Sequence, residues 1–191
     1  PADFLTYVNV ERLSVPLCGP FRPGHFRGVA TVVLKLFAIV QPELAFFGRK
    51  DAQQGVIIRQ MVHDLNLPVE VVVCPIVRAP DGLALSSRNR YLSPEERQAA
   101  LILFRSLCHA RDLIRGGERR AEEIINRMRA LLQREPRARP EYVEVVDADL
   151  LTPKPQVAGR TLIALAVWIG RARLIDNLLV EEVDARFHFD L

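Results

Sequence analysis

Residues 44–77, LAFFGRKDAQQGVIIRQMVHDLNLPVEVVVCPIV, decide the fold of this chain. The apolar run Leu44–Phe47 predicts a short buried strand that ends at Gly48. Apolar residues then recur at helical spacing, at Val56, Ile57, Met61 and Leu65. The nearly continuous apolar run from Val69 to Val77 predicts a second buried strand. Such strands are typical of a parallel sheet covered on both faces, so the stretch predicts a β-α-β unit.

A further helix is predicted upstream of this unit. Its apolar positions recur at helical spacing, at Phe26, Val29, Val32, Val33, Leu36, Phe37 and Val40. Gln41 and Pro42 end it, because proline cannot continue a helix. The alternating segment Phe4–Val10 predicts a strand before it. The order β-α-β-α-β makes residues 1–76 the expected second half of a doubly wound, Rossmann-like domain.

The pattern changes after Val77, where the polar loop 78–91 precedes a long helix. Ser93-Pro94-Glu95-Glu96 places Ser at the N-cap, Pro at the first helical position and Glu at the third. Gly116-Gly117 closes this helix, and another is predicted from Arg119 to Arg134.

Strand-like runs come last, at 142–146, 162–169 and 173–180. Helices followed by consecutive strands predict a small α+β domain over residues 77–183, with an antiparallel three-stranded sheet. Residues 184–191 are expected to be a linker or a frayed tail.

Composition narrows the class of protein. Hydrophobic residues make up 49% of the 191, enough for a real core. The net charge of +3 comes from Lys and Arg interspersed with Asp and Glu, which favours a small anionic substrate over nucleic acid. Three cysteines without a C-x-x-C pair suggest neither disulfides nor zinc and fit a reducing cytosol. No apolar run reaches about 18 residues, so we expect a soluble cytoplasmic protein without membrane contact.

The first candidate site is residues 47–54, FGRKDAQQ, where a strand runs through Gly48 into a helix. Ligands of open α/β sheets bind where strands end and the following helices begin. Gly48 allows close approach of a nucleotide, Lys50 can neutralise phosphate, and Asp51 can accept ribose hydroxyls. Gln54, one turn on, faces the same crevice. An ordinary helix cap with a solvated lysine explains the same spacing.

The second candidate is the loop 81–90, DGLALSSRNR, between the two predicted domains. Ser86, Ser87 and Arg88 supply hydroxyls, backbone amides and a planar guanidinium, which suit a polyphosphate. The alternative is a polar linker.

The third candidate is residues 21–28, FRPGHFRG, at the start of the first helix. Arg22 and His25 could hold a carboxylate there, helped by free backbone amides. A lone capping histidine is the alternative.

Taken together and in order, RPGHF at 22–26, FGRKDAQQ at 47–54, DGLALSSRNRY at 81–91 and RLIDN at 173–177 resemble the pantothenate synthetases, or pantoate–β-alanine ligases. The similarity runs from about Thr6 to Glu181. It implies a nucleotidyltransferase-type Rossmann-like domain followed by a small α+β domain, in a cytosolic homodimer.

The resemblance also implies an activity. Pantoate attacks the α-phosphate of Mg–ATP to give pantoyl-adenylate, and β-alanine then displaces AMP. By position, the expected ATP-binding residues are Gly48, Arg49, Lys50, Asp51, Val77, Leu85, Ser86, Ser87 and Arg88. Lys50, Ser86, Ser87 and Arg88 would also stabilise the transition state, so they are the expected catalytic residues. Gln54, His25 and Arg22 would lie on the pantoate and β-alanine side, and no metal ligand is expected in this chain.

Two departures from the family pattern matter. The family often has an acidic residue where Arg49 stands and an aromatic one at Ala52. Its H-x-G-H element, whose histidines bind phosphate, does not occur in these 191 residues. Pro1 without a preceding methionine suggests a longer parent, with that element, the first pantoate-binding glutamine and the metal-associated acidic residues upstream. The hypothesis is that this chain alone is inactive.

Two other interpretations stay open. Another nucleotidyltransferase of the same superfamily is the nearest, and stimulation by pantoate of pyrophosphate release by the full-length parent would argue against it. A non-catalytic basic binding module is the other. It predicts salt-sensitive retention on a polyanion and no protection of residues 86–88 by ATP.

Overall fold

A computed structural model describes residues 3–184 and 186–191 of the chain. The chain divides into two compact units, Pro1–Cys74 and Pro75–Leu191. No helix in these described ranges is long and apolar enough to span a bilayer.

The first unit combines two helices with a pair of parallel strands. Its elements, in order, are helix α1 (His25–Val40), strand β1 (Leu44–Gly48), helix α2 (Ala52–Asp64) and strand β2 (Glu70–Cys74). Strands β1 and β2 pair in parallel from Leu44 opposite Glu70 to Gly48 opposite Cys74. A single 3₁₀ turn, Arg49–Asp51, joins β1 to α2. The predicted β-α-β unit and the helix before it are confirmed.

Two strand predictions in this unit were wrong. Phe4–Val10 forms no strand, and the backbone amide of Val8 donates instead to Oγ1 of Thr31 at 2.9 Å. A strand needs a neighbouring backbone to pair with, and alternation of side chains does not supply one. Strand β2 is also shorter than the apolar run 69–77, because Pro75 follows it and has no N–H for the ladder.

The second unit packs two helices against one antiparallel sheet. Helices α3 (Pro94–Arg115) and α4 (Ala121–Leu132) precede strands β3 (Ala138–Asp147), β4 (Arg160–Ile169), β5 (Ala172–Val183) and β6 (Arg186–Asp190). The strand order is β3-β4-β5-β6. The core between helices and sheet contains, among others, Leu107, Ile114, Met128, Ile163 and Leu165, each fully buried. The expected mixed α/β class, a parallel segment followed by an antiparallel sheet, is confirmed.

The sheet has four strands, so the predicted three-stranded sheet was wrong. The fourth, β6, lies where a tail was expected, and it pairs with β5 from Leu179 opposite Asp190 to Val183 opposite Arg186. Phe187 and Phe189 alternate with polar residues and pack against the core. The guanidinium of Arg119 lies 4.1 Å from the centre of the Phe187 ring. Burial of these two rings stabilises the pairing of residues 186–190 with the sheet.

The start of α3 has the predicted capping box. Oγ of Ser93 accepts a hydrogen bond from the amide of Glu96 at 3.2 Å. The amide of Ser93 donates in return to Oε2 of Glu96 at 2.9 Å, and Pro94 takes the first helical position. Two otherwise unpaired backbone donors are thereby satisfied.

We expect Ser93→Ala to lower the free energy of unfolding by about 1 kcal/mol, because the amide of Glu96 loses its acceptor. Urea unfolding followed by circular dichroism measures this. Ser93→Asn is the matched control, since asparagine caps as well as serine, and it should behave like the unsubstituted chain. Equal stability of the alanine and asparagine variants would contradict the capping role.

Phe187→Ala should destabilise the chain by about 1 to 2 kcal/mol, because a partly buried ring leaves the core. His188→Ala is the control one residue along, where the side chain is exposed, and we expect a change within about 0.5 kcal/mol. The same urea titration compares the two. If both substitutions were neutral, residues 186–190 would behave as a frayed end and not as a strand.

Candidate functional site

The first group of candidate residues precedes helix α1. Gly24 is the N-cap residue and has φ of 74°, a left-handed conformation that glycine adopts without strain. This turn brings Nη1 of Arg22 to 2.8 Å from Nε2 of His25. Both side chains are half-buried. The structure therefore brings together the two residues that the sequence placed at this helix start.

The second group follows strand β1. Gly48 ends the strand, and Lys50 and Asp51 lie in the 3₁₀ turn before α2, with Nζ and Oδ2 4.0 Å apart. Asp51 is the N-cap residue of α2, yet its side chain makes no capping hydrogen bond and is 49% exposed. Asp51 therefore stands at the cap position without making the capping hydrogen bond. Gln54, in the first turn of α2, is half-buried, and Arg49 is buried.

Gln53 is a residue whose role the motif analysis missed. Its Oε1 accepts from the amide of Cys18 at 3.0 Å. Its Nε2 donates to the carbonyl oxygens of Leu13 and Pro16 at 2.9 and 2.7 Å. One buried amide thereby fixes the segment 13–18 to the start of α2, beside Lys50 and Gln54. The available signal was its spacing, since Gln53, Ile57 and Met61 share one buried helix face.

In the second unit, residues 77–85 form a tight hairpin. The amide of Leu85 donates to the carbonyl of Val77 at 2.9 Å, so these two candidate residues are neighbours. Inside them, the amide of Ala79 donates to the carbonyl of Leu83 at 2.9 Å. The side chains of Val77 and Leu85 are 67% and 51% exposed. The hairpin therefore presents two apolar side chains to solvent.

Ser86 to Arg88 follow the hairpin directly. Ser86 is the N-cap of the 3₁₀ turn Ser87–Tyr91, and its Oγ accepts from the amide of Arg88 at 3.2 Å. Nδ2 of Asn89 donates to the carbonyl of Ala84 at 3.0 Å and ties the turn to the hairpin. Ser87 is exposed, while Ser86 and Arg88 are half-buried. This is an ordered turn with accessible hydroxyl and guanidinium groups.

Arg78 and Asp176 form the buried ion pair beneath this hairpin. Nη1 and Nη2 of Arg78 donate to Oδ2 and Oδ1 of Asp176 at 2.7 and 2.9 Å. The motif analysis quoted Asp176 but gave it no role. The signal was a polar Asp–Asn pair inside the apolar run of strand β5.

Within the described residues, no group of three His, Cys, Asp or Glu side chains is placed to hold a metal ion. Among the described residues, Cys18, Cys74 and Cys108 take part in no disulfide bond.

The chain is similar to known proteins of one family along nearly all of its length. Residues 1–179 match the sequence model of the family described as pantoate-beta-alanine ligase. The chain is 54% identical over 184 residues to the pantothenate synthetase of Moorella thermoacetica and 58% identical over 181 residues to that of Heliobacterium modesticaldum. These matches cover 96% and 95% of this chain but only 65% and 64% of the two relatives. The chain thus spans less than two thirds of their length.

Solved structures give the same picture. The crystal structure of pantothenate synthetase from Thermus thermophilus matches with a TM-score of 0.89 and 45% identity, over 93% of this chain and 64% of that one. The pantoate-beta-alanine ligase of Francisella tularensis, complexed with beta-gamma ATP and β-alanine, matches with a TM-score of 0.66 and 32% identity, over 92% of this chain and 58% of that one. With sequence, motifs and fold in agreement along nearly all of its length, this chain belongs to the pantoate-β-alanine ligase family.

Proposed function

We propose that this chain is part of an ATP-dependent, AMP-forming ligase that joins pantoate to β-alanine through a pantoyl-adenylate. The observation that carries the proposal is the ordered Ser86–Arg88 turn in a member of this family. Its two hydroxyls and its guanidinium directly follow a hairpin closed by the hydrogen bonds of Leu85 to Val77 and of Ala79 to Leu83. The Francisella tularensis relative, solved with beta-gamma ATP and β-alanine, supports these ligands.

In the second unit we assign the nucleotide to the hairpin and the turn after it. Val77 and Leu85 offer exposed apolar surface to the nucleoside. Ser86, Ser87 and Arg88 take the phosphates, because hydroxyl donors and a planar guanidinium match phosphate oxygens.

In the first unit we assign Lys50 to the phosphates and Asp51 to the ribose hydroxyls. The side chain of Lys50 is 15% exposed, so its charge is partly desolvated and acts more strongly on a bound anion. Gln54 is assigned to pantoate. Arg22 and His25, in contact with each other, are assigned to the carboxylates of pantoate and β-alanine.

In the proposed reaction, this chain contributes the positioning of the substrates and the stabilisation of charge. A carboxylate oxygen of pantoate bonds to the α-phosphorus of ATP, and the bond to pyrophosphate breaks. The amine of β-alanine then attacks the acyl carbon, AMP leaves, and the amine gives up a proton. Both nucleophiles and both leaving groups belong to the substrates. The residues of this chain contribute by aligning them and by balancing the charge that moves to pyrophosphate.

Magnesium enters this proposal only as part of the Mg–ATP substrate. The described residues offer no cluster of metal ligands, so no step is assigned to a metal held by this chain. A homodimer in the cytoplasm remains part of the proposal on family resemblance alone.

Lys50→Met should weaken ATP binding to this chain about tenfold, because one charge-assisted contact of about 1.4 kcal/mol is lost. Isothermal titration calorimetry with ATP measures the change. Lys35→Met is the control, since it removes the same charge from the exposed surface of α1. Equal loss in both variants would indicate a general effect of net charge and would remove Lys50 from the site.

The 191-residue chain by itself should form no AMP from ATP, pantoate and β-alanine, because it contains no H-x-G-H sequence. Chromatographic detection of AMP is the measurement, with the Moorella thermoacetica pantothenate synthetase as the positive control. AMP formation that depends on pantoate would contradict the expected inactivity and would support the proposed reaction. ATP binding without AMP formation is the expected result.

A further inference from the structure

Strand β5 carries two buried polar residues within an apolar run. Asp176 is 4% exposed and Asn177 is 2% exposed. A buried carboxylate is costly unless it is paired and hydrogen-bonded. The proposed reaction gives neither residue a task, so their presence needs another explanation.

Both oxygens of Asp176 are satisfied, mainly by Arg78. Nη1 and Nη2 of Arg78 donate to Oδ2 and Oδ1 at 2.7 and 2.9 Å, and the amide of Asn177 donates to Oδ1 at 2.8 Å. The side chain of Arg78 is 12% exposed. A two-point pair of this kind fixes the orientation of the guanidinium as well as its position.

Arg78 passes this constraint on to the hairpin turn. The same Nη1 atom donates to the carbonyl of Gly82 at 3.0 Å. The guanidinium also lies 4.8 Å from the centre of the Phe104 ring on α3. A Cβ atom at Gly82, where φ is 94°, would lie 2.3 Å from Cδ1 of Phe104. The turn is therefore held from below by an ion pair and by the ring on which Gly82 rests.

The held turn leads straight to the candidate phosphate-binding residues. Arg78 pairs with Ala84 across the hairpin, and Ala84 accepts the hydrogen bond from Asn89. Ser86, Ser87 and Arg88 lie between these anchored positions. Both ends of this segment are therefore tied to the hairpin.

We propose that Asp176 is a positioning residue that acts through Arg78 to set the geometry of the loop 81–88. It touches no substrate. Its buried charge selects one placement of Arg78, and this selects one placement of the Ser86–Arg88 turn before any ligand arrives. Such preorganisation lowers the cost of ordering the loop on binding. The proposed function enters this inference only through the ligand, a triphosphate, that the loop receives.

The test replaces Asp176 by Asn, which keeps the shape and removes the charge, in the 191-residue chain. Hydrogen exchange of the Leu83 and Leu85 amides reports on the hairpin, because these amides donate to Asp81 and Val77 within it. Local opening should make both exchange at least about tenfold faster. The ATP concentration that half-protects residues 85–88 should rise by about fivefold or more.

Glu141→Gln is the matched control. Glu141 makes a comparably buried ion pair with Arg173, with side chains 11% and 9% exposed, and it also accepts from Nε1 of Trp168 at 3.0 Å. This pair joins strands β3 and β5, and both of its residues lie outside the loop segment 77–91. Glu141→Gln should therefore leave exchange at Leu83 and Leu85 unchanged.

A second variant, Arg78→Lys, covers the case in which Asp176→Asn does not fold. Lysine keeps the charge but lacks the two-point fork, so faster exchange of the same amides is again expected. Loop exchange at the control level in a folded Asp176→Asn or Arg78→Lys chain would overturn the inference. If ATP fails to protect the loop of the unsubstituted chain while Asp176→Asn still speeds its exchange, the proposed ligand is wrong and the positioning role stands.

Discussion

The candidate phosphate loop depends on the ion pair between Arg78 and the buried carboxylate of Asp176 in strand β5. A charge at 4% exposure has to be compensated, and Arg78 provides that compensation. Because the guanidinium also holds the carbonyl of Gly82, the compensation fixes the hairpin turn as well. The polar loop is thus ordered by an interaction at its base, while Leu85 and Ser87 at its outer surface stay accessible.

The first unit uses a neutral group for a similar purpose. The amide of Gln53 lies on the buried face of α2, and its oxygen and nitrogen make hydrogen bonds with three backbone groups in residues 13–18. A buried polar side chain with all of its partners in place permits few alternative arrangements. The adjacent Lys50 and Gln54 are therefore carried by a helix start that is itself tied down. In each unit, a buried residue to which no substrate contact is assigned holds the backbone near the candidate binding residues. Gln53 does so in the first unit and Asp176, through Arg78, in the second.

This division of labour suits the proposed chemistry. Transfer of an acyl group through an adenylate requires that the carboxylate, the α-phosphate and the leaving pyrophosphate be aligned and their charge balanced. In the second unit, the side chains of the Ser86–Arg88 turn can follow the phosphates. A rigid base limits the entropy lost when they do so. The carboxylate of Asp51 in the first unit is exposed and makes no capping hydrogen bond to α2, which is compatible with its proposed contact to the ribose.

The sequence by itself determined the features that depend on neighbouring residues. Spacing and turn chemistry located α1, the β1-α2-β2 unit and the capping box at Ser93, since caps, proline stops and helical periodicity act within a few positions. The motifs also identified the family. Only the tertiary structure decided that Phe4–Val10 lacks a partner strand, that residues 186–190 complete the sheet, and that Asp176 meets Arg78. Arg78 and Asp176 lie 98 residues apart, and the Phe187 ring of β6 contacts Arg119 of a distant segment. Local patterns carry no information about which distant backbone, ring or charge will be the neighbour.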